Sequence, residues 1–404
     1  MTRLRVILFI ATLVLIAILG TIVSLYARGY RFSWEELKFR PNGLFAIKSV
    51  PDSAQIFING VLVSATNTTL ALQPGTYDVS VRKDGFMDWN KRLVIDKEVV
   101  TEVTVHLFRS TLSLSSVTFT GSINPIPSYD MSKIVFVVPS EVNSNGSDKG
   151  GLWVIEAVNL PIGFAQDPKR ITDGNLKGAT YIWSPDGREI LLDTGDGSYL
   201  IDAGTFTPQS QRVNVRQTKN EILMEWDTVM EKKLNSQLKK LPDEMNKILT
   251  DSTNSFVFSP DEDMVLYTAS SSAIIPTELK KQLPGASTQR EGRELKKNHT
   301  YVYDIEEDRN FLIDEDDSDL VLGGETKVNP KRRLSWFATS RHLVSADIDK
   351  VEIMDYDGTN RQTVYSGSYI IPNAFPTLSI DRLLILTNLG ANSSLPNFYS
   401  LSLK

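Results

Sequence analysis

Two periodicities divide this chain. Residues 6–26, VILFIATLVLIAILGTIVSLY, run for twenty-one positions without a charge or a proline. The run is apolar all round, with no polar face to mark it as a helix on a soluble core. At about 1.5 Å per residue it spans roughly 30 Å, the thickness of a hydrocarbon core. After it the alternation switches to period two, in short strands separated by Gly, Pro, Asn and Asp turns, through 44–109 and again from 110 to 404. Helical spacing returns once, over 217–249, where Ile222, Leu223, Trp226, Val229, Met230 and Leu234 recur on one face and Pro242 divides two helices. The pattern predicts a mainly β protein behind a transmembrane helix.

The apolar run reads as a single-pass membrane anchor. A cleaved signal core is shorter, about 7–15 apolar residues, and the best cleavage site here, after Ala27, has Leu25 at −3. Arg3 and Arg5 precede the run and Arg28, Arg31, Lys38 and Arg40 follow it, so charge does not fix the orientation. A cytoplasmic tail of residues 1–5 is expected, because the bulk of the chain is what would be exported. Tyr26, Tyr30, Phe32 and Trp34 suit an interfacial belt in a juxtamembrane linker, 27–43.

In 44–109 the run Ala54-Gln55-Ile56-Phe57-Ile58 meets Asn59-Gly60 and then Val61-Leu62-Val63, a strong hairpin signal because both turn residues need positive φ. Gln73-Pro74-Gly75 precedes a strand over 76–81, Lys83-Asp84-Gly85 turns again, and 89–95 and 99–107 alternate. These runs predict a small antiparallel sandwich. Pro51 and Ala54, Asn59-Gly60, Pro74-Gly75-Thr76-Tyr77 and Lys83-Asp84-Gly85-Phe86 together resemble the PEGA domain family, with Ser53 where that family carries Gly. The resemblance implies a non-catalytic surface module of prokaryotic envelope proteins, often placed beside a membrane anchor.

From 110 onward one unit recurs: an aromatic strand, a Ser-Pro-Asp-like turn and an apolar strand. The clearest copies are 181–193, YIWSPDGREILLD, and 256–267, FVFSPDEDMVLY; weaker ones occupy 126–138, 334–345 and 374–386. Further strands follow at 151–155, 199–201, 301–303, 351–354 and 398–401. Proline fixes φ at the first corner, aspartate bonds its own backbone and Gly187 accepts positive φ. Glu262 replaces that glycine in the third copy, and the weaker copies are expected to lose the turn. Repeated four-stranded units resemble the TolB-like and WD40-like β-propeller family. Five blades are expected, the last completed by 111–119, TLSLSSVTF, as a clasp between the termini. A sixth blade follows if that strand opens its own.

Two insertions interrupt the blades. The face of 217–249 either covers the propeller or binds a partner. Residues 270–298, with Lys280, Lys281, Arg290, Arg293, Lys296 and Lys297, read as a long exposed loop, mobile or partner-binding. Residues 143–151, NSNGSDKGG, read as a flexible hairpin tip.

Composition narrows the function. Net charge is −6 and pI about 5.4, which argues against nucleic acid as a partner. There is no cysteine and only His106, His299 and His342, so thiolate chemistry is excluded and histidine chemistry is short of groups. No nucleophile elbow, zincin helix or phosphate loop is present. A prolyl-peptidase type of enzyme would need a hydrolase domain after the propeller, and none is expected. The acidic run 314–319, DEDDSD, lacks the glycine and spacing of a calcium loop and reads as a solvated connection; Asp347, Asp349, Asp355 and Asp357 read as turn residues. Asn67, Asn145, Asn298 and Asn392 begin N-x-Ser/Thr sequences. No catalytic, cofactor or metal residue is assigned, and binding is expected in the insertions as regions. The expected protein is a non-enzymatic, single-pass component of the cell membrane, extracytoplasmic in bulk. Its propeller would bind a protein or glycan at the cell surface. The alternatives are a scaffold subunit of an envelope complex, favoured by a broad apolar patch on 222–234, and a propeller glycan hydrolase or lyase, which needs paired channel carboxylates.

Overall fold

A computed structural model describes residues 2–27, 30–33, 38–140, 148–157, 167–281, 288–326, 329–391 and 394–404. The expected hairpin tip at 143–151, the sequons at Asn145 and Asn392, and Trp34 fall wholly or partly outside these residues. The chain forms two compact units, one from Met1–Ser110, the other from Thr111–Lys281 and Gln289–Lys404.

In the first unit, helix α1 (Thr2–Ala27) contains the apolar run, with Ile7–Ala27 unburied throughout. Its length and composition suffice to cross a bilayer, a property that an anchor and a signal sequence share. Within the linker expected at 27–43, Tyr30–Ser33 and Lys38–Pro41 pair antiparallel. Two sheets follow. Gly43–Val50 lies between Thr68–Leu72, antiparallel, and Val100–His106, parallel. The other sheet has the order Val61–Ala65, Gln55–Ile58, Gly75–Arg82, Trp89–Ile95. Phe45, Ile47, Ile56, Val81, Leu93 and Val105 fill the space between them. The sandwich is therefore mixed rather than wholly antiparallel. Asn59 and Gly60 have φ of 50° and 81°, as a two-residue hairpin turn requires. Ser53, the departure from the family pattern, has φ of 58°, a conformation that explains why glycine suits this position.

The second unit contains five blade sheets among the described residues. Blade 1 is Ile123–Pro127, Lys133–Val138, Gly151–Glu156 and Lys169–Asp173. Blade 2 is Thr180–Trp183, Glu189–Asp193 and Ser198–Asp202, with a bridge from Tyr199 to Asn214 at its outer edge. Blade 3 is Thr253–Phe258, Met264–Ala269, Thr300–Asp304 and Arg309–Asp314. Blade 4 is Arg332–Trp336, His342–Asp347, Lys350–Asp355 and Gln362–Ser366, plus an unforeseen strand, Leu320–Leu322, parallel to its first. Blade 5 is Ala374–Pro376, Arg382–Thr387 and Asn397–Ser402, completed by Ser113–Ser116 from the start of the unit. The clasp is thus present and the six-blade alternative is not.

Seams between blades are apolar. Val135, Val137 and Leu152 of blade 1 pack on Tyr181, Ile190 and Leu192 of blade 2. Met264, Leu266 and Val302 of blade 3 pack on Leu334, Leu343 and Met354 of blade 4. Tryptophan ties two seams by donating Nε1–H to the preceding blade's first strand: Trp183 to the Ile126 carbonyl at 2.9 Å, Trp336 to that of Val257 at 3.0 Å. At the closing seam Phe398 of blade 5 meets Phe136 of blade 1 edge-on, ring centres 5.6 Å apart, and Phe375 at 6.3 Å. Thr118 Oγ1 donates to Asn397 Oδ1 at 3.0 Å and accepts from the Phe398 amide at 2.8 Å.

Phe398 is fully buried at the seam where the two ends of this unit meet. Phe398→Ala is expected to cost about 3–5 kcal/mol, read from urea unfolding. A loss below about 1 kcal/mol would contradict the closing role.

Candidate ligand-binding cavity

The repeated turn builds one end of the channel. In blades 1, 2 and 3 a serine hydroxyl donates to the aspartate two residues on: Ser128 to Asp130 at 2.6 Å, Ser184 to Asp186 at 2.7 Å, Ser259 to Asp261 at 2.6 Å. The same hydroxyl accepts from the amide five residues on, at Lys133, Glu189 and Met264. Blade 1 was expected to lose this turn and keeps it intact, because Tyr129 and Met131 replace proline and glycine without touching the hydrogen-bonding pair. The fourth turn residue is left-handed each time, with φ of 58° at Met131, 65° at Gly187 and 62° at Glu262. Blade 4 has lost both polar partners, yet Ser340 has φ of 57° and Phe337 still closes on the His342 carbonyl.

The turns of blades 1, 3, 4 and 5 converge on a cavity of about 1370 Å³. Helix α2 (Lys219–Leu238) forms its outer wall. Met230, Leu234, Leu238, Phe256 and Trp336 supply apolar surface, and Tyr129, Lys233, Asn235, Gln237, Asn246 and Thr377 supply polar groups. The volume exceeds the roughly 300–1,000 Å³ of small-molecule pockets.

Both ends of the helical segment are fixed to blades. Lys219 pairs with Asp193 of blade 2. At the far end Glu262, in the turn of blade 3, accepts from Gln237 at 2.9 Å and from Lys240 at 2.6 Å. The residue that departs from the repeat is therefore the one that holds the strap. Helix α3 (Asp243–Ser252) starts after Pro242, with Asp243 and Glu244 complementing its dipole. Its Met245 and Leu249 bury against Phe258, Val265 and Tyr267 on the open face of blade 3. Among the described residues no side chain of blade 2 joins that cluster, so this face of blade 3 is covered by the insertion rather than by blade 2.

Helix α2 covers rather than displays its apolar face. Ile222, Leu223, Trp226 and Met230 fall within about 100° of one another and are half-buried. Exposed Met224, Val229 and Leu234 lie about 140° apart in turn and make no patch. The apolar surface a scaffold reading calls for is absent from the described helix.

Charges along the strap shift in ways that fit this placement. The Tyr129 hydroxyl is raised by burial first and by Asp227 second. Glu189 is raised by burial, then by the carboxylates of Asp186, Asp202 and Glu225. Burial pushes Asp130 up, but hydrogen bonds from Ser128 and Ser132 outweigh it and hold the carboxyl below its ordinary range. Lys240 and Gln237 hold Glu262 down in the same way.

The other regions singled out in the sequence sit elsewhere. The 270–298 segment is largely exposed where described but firmly based: Ala273–Ile274 pairs with Glu294–Leu295, and Ile275 and Leu295 are buried in the blade 3 core. Arg293, read as part of a basic loop, instead lies 2.8 Å from Glu291 and 3.4 Å from Asp308. In the acidic run Asp314 pairs with Arg332, and Asp319 with Lys331 at 2.8 Å. Asp357 accepts from the Thr359 amide and hydroxyl, a turn role. The positions that matter most, Glu262 and the cavity walls, carry no local sequence signal beyond the repeat itself.

Residues 43–111 match the PEGA domain family. No curated protein matches the chain. Solved structures similar to it include a TolB structure from Agrobacterium tumefaciens, at 12% identity and TM-score 0.23, covering 71% of this chain and 80% of that one. TolB from Acinetobacter baumannii is similar at 13% and 0.18, over 81% and 60%. Dipeptidyl peptidase 4 from Porphyromonas gingivalis is similar at 9% and 0.18, over 77% and 42%. With scores this low, the blade count rests on the strand pairing alone.

The expected pH behaviour of the strap follows from Glu262. Its carboxyl is held below the ordinary value of 4.5, so its contribution is present above that pH and is lost as pH falls through the lower folded value. Glu262→Gln is expected to lower the melting temperature at pH 7 and to lower it progressively less toward pH 3. An equal difference at both would contradict the ion pair as the fastening.

Proposed function

We propose that this chain is a membrane-anchored, extracytoplasmic protein of the prokaryotic cell envelope. It binds a protein segment or a glycan in the channel-mouth cavity and performs no chemistry on it. The observation that carries this reading is the cavity itself. Four blades bring their turns to one end, and a helix fastened at both ends leaves a space larger than most small-molecule pockets. Apolar surface from Phe256 and Trp336 of the blades and Leu238 of the helix, beside amide and hydroxyl groups, suits a chain-like ligand with alternating apolar and polar parts.

A binding role is also supported by the state of the carboxylates. Asp130, Glu231 and Glu325 are the acidic residues in the lining, and Asp130 is engaged in its own turn. The PEGA match supports an envelope setting, and the uncharged stretch Ile7–Ala27 of helix α1 supports a single-pass anchor; residues 1–5 are assigned to the inside as part of this proposal. The cavity, rather than the insertions alone, is the place to look for the ligand.

Full-length protein in detergent, incubated with separated peptidoglycan, glycan and membrane-protein fractions of the host envelope, is expected to retain one fraction saturably. Tyr129→Ala, at the exposed rim, is expected to weaken that retention roughly tenfold with an unchanged melting temperature. Undiminished retention by this variant would move the site away from the cavity.

A further inference from the structure

Behind the cavity wall lies a buried cation with no carboxylate in direct contact: Glu325 acts on it only through space. Arg333 is 4% exposed on the first strand of blade 4. Its Nη1 donates to the carbonyls of Gly323 and Glu325, the second at 3.3 Å, and both residues line the cavity. Its guanidinium carbon lies 5.4 Å from the ring centre of Phe375 in blade 5. Its Nε has no acceptor. Two residues on, and so on the same face of the strand, the Ser335 hydroxyl is also buried without a partner. Leu334 and Trp336 point the other way, into the core shared with blade 3. Among the described residues no carboxylate stands within ion-pair distance of Arg333.

This is costly in physical terms. A buried charge whose donors are only partly met is costly, and a buried hydroxyl without a partner adds to the cost. Burial lowers the Arg333 pKa to about 10, far from enough to discharge it at neutral pH. Two carbonyls, an aromatic face and the through-space attraction of Glu325 offset part of the cost, but none of them reaches Nε. A guanidinium Nε without an acceptor, on the same strand face as a hydroxyl without a partner, offers donors suited to the oxygens of a planar or tetrahedral oxyanion.

We infer that Arg333 and Ser335 form an oxyanion seat at the seam of blades 4 and 5, taking a carboxylate or phosphate group of the ligand held in the adjoining cavity. The ligand's place in the cavity rests on the function proposed above; the seat itself does not. Chain-like envelope ligands of either class carry such groups, as acidic side chains and chain ends or as phosphodiesters.

The test uses purified full-length protein in detergent, with acetate or inorganic phosphate replacing chloride at constant ionic strength. The expected result is a saturable rise in melting temperature, absent in Arg333→Met and shifted to roughly tenfold higher anion concentration in Ser335→Ala. A larger response to acetate assigns a carboxylate ligand, and a larger response to phosphate a phosphoryl one. If Arg333→Met does not fold, the Ser335→Ala shift decides. A linear response, or one identical in wild type and Ser335→Ala, overturns the seat and leaves Arg333 as a structural group. Anion response without envelope retention would keep the seat and remove the proposed function; retention without anion response would do the reverse.

Discussion

A ring of twisted sheets has to close on itself, and every other feature of the propeller depends on how this one does. Each blade buries its two faces against its neighbours, so a gap anywhere exposes two apolar surfaces and a strand edge. Here the gap would fall between blades 5 and 1. It is closed by strand exchange: Ser113–Ser116 comes from one end of the unit and pairs with Asn397–Ser402 from the other. Phe398 then sits between Phe136 and Phe375, so backbone pairing and aromatic packing join the two ends at one place.

The second weak point is met differently. Between blades 2 and 3 the chain inserts two helices instead of packing sheet on sheet. The shorter helix buries Met245 and Leu249 on blade 3, while the longer one runs from Asp193 to Glu262 over the channel end. Structure and function meet in this device. The helix that shields blade 3 also roofs the cavity, and its outer face carries no apolar patch for a partner. The cavity lies beneath the strap that covers this face of blade 3.

Much of this was legible in the sequence, for identifiable reasons. Asn59-Gly60 and the Ser-Pro-Asp turns at 184–186 and 259–261 encode their geometry in side-chain chemistry that works locally, so they could be read one at a time, whereas Ser128-Tyr129-Asp130 was missed because proline and glycine are absent. The clasp was legible because three strands without a fourth leave an edge that must be covered. Leu320–Leu322 was not legible: three apolar residues have no periodicity, and their parallel pairing is decided by the neighbouring blade. Met131, Glu262 and Ser340 hide the shared left-handed corner, since tertiary packing holds there what glycine would otherwise signal. Arg293 and Arg333 misled or were passed over for one reason: a charged residue in a sequence reads as solvated, and only the fold shows that it is buried.

The central claim is that the five blades form one closed cooperative ring, which fixes the turns around the cavity. Hydrogen–deuterium exchange across the propeller tests it directly. The account predicts that amides paired between Ser113–Ser116 and Asn397–Ser402 exchange only with global unfolding, as slowly as those of Arg382–Thr387 in the same sheet. Rapid exchange of the clasp strand, with the rest of blade 5 still protected, would show an open ring and contradict the account.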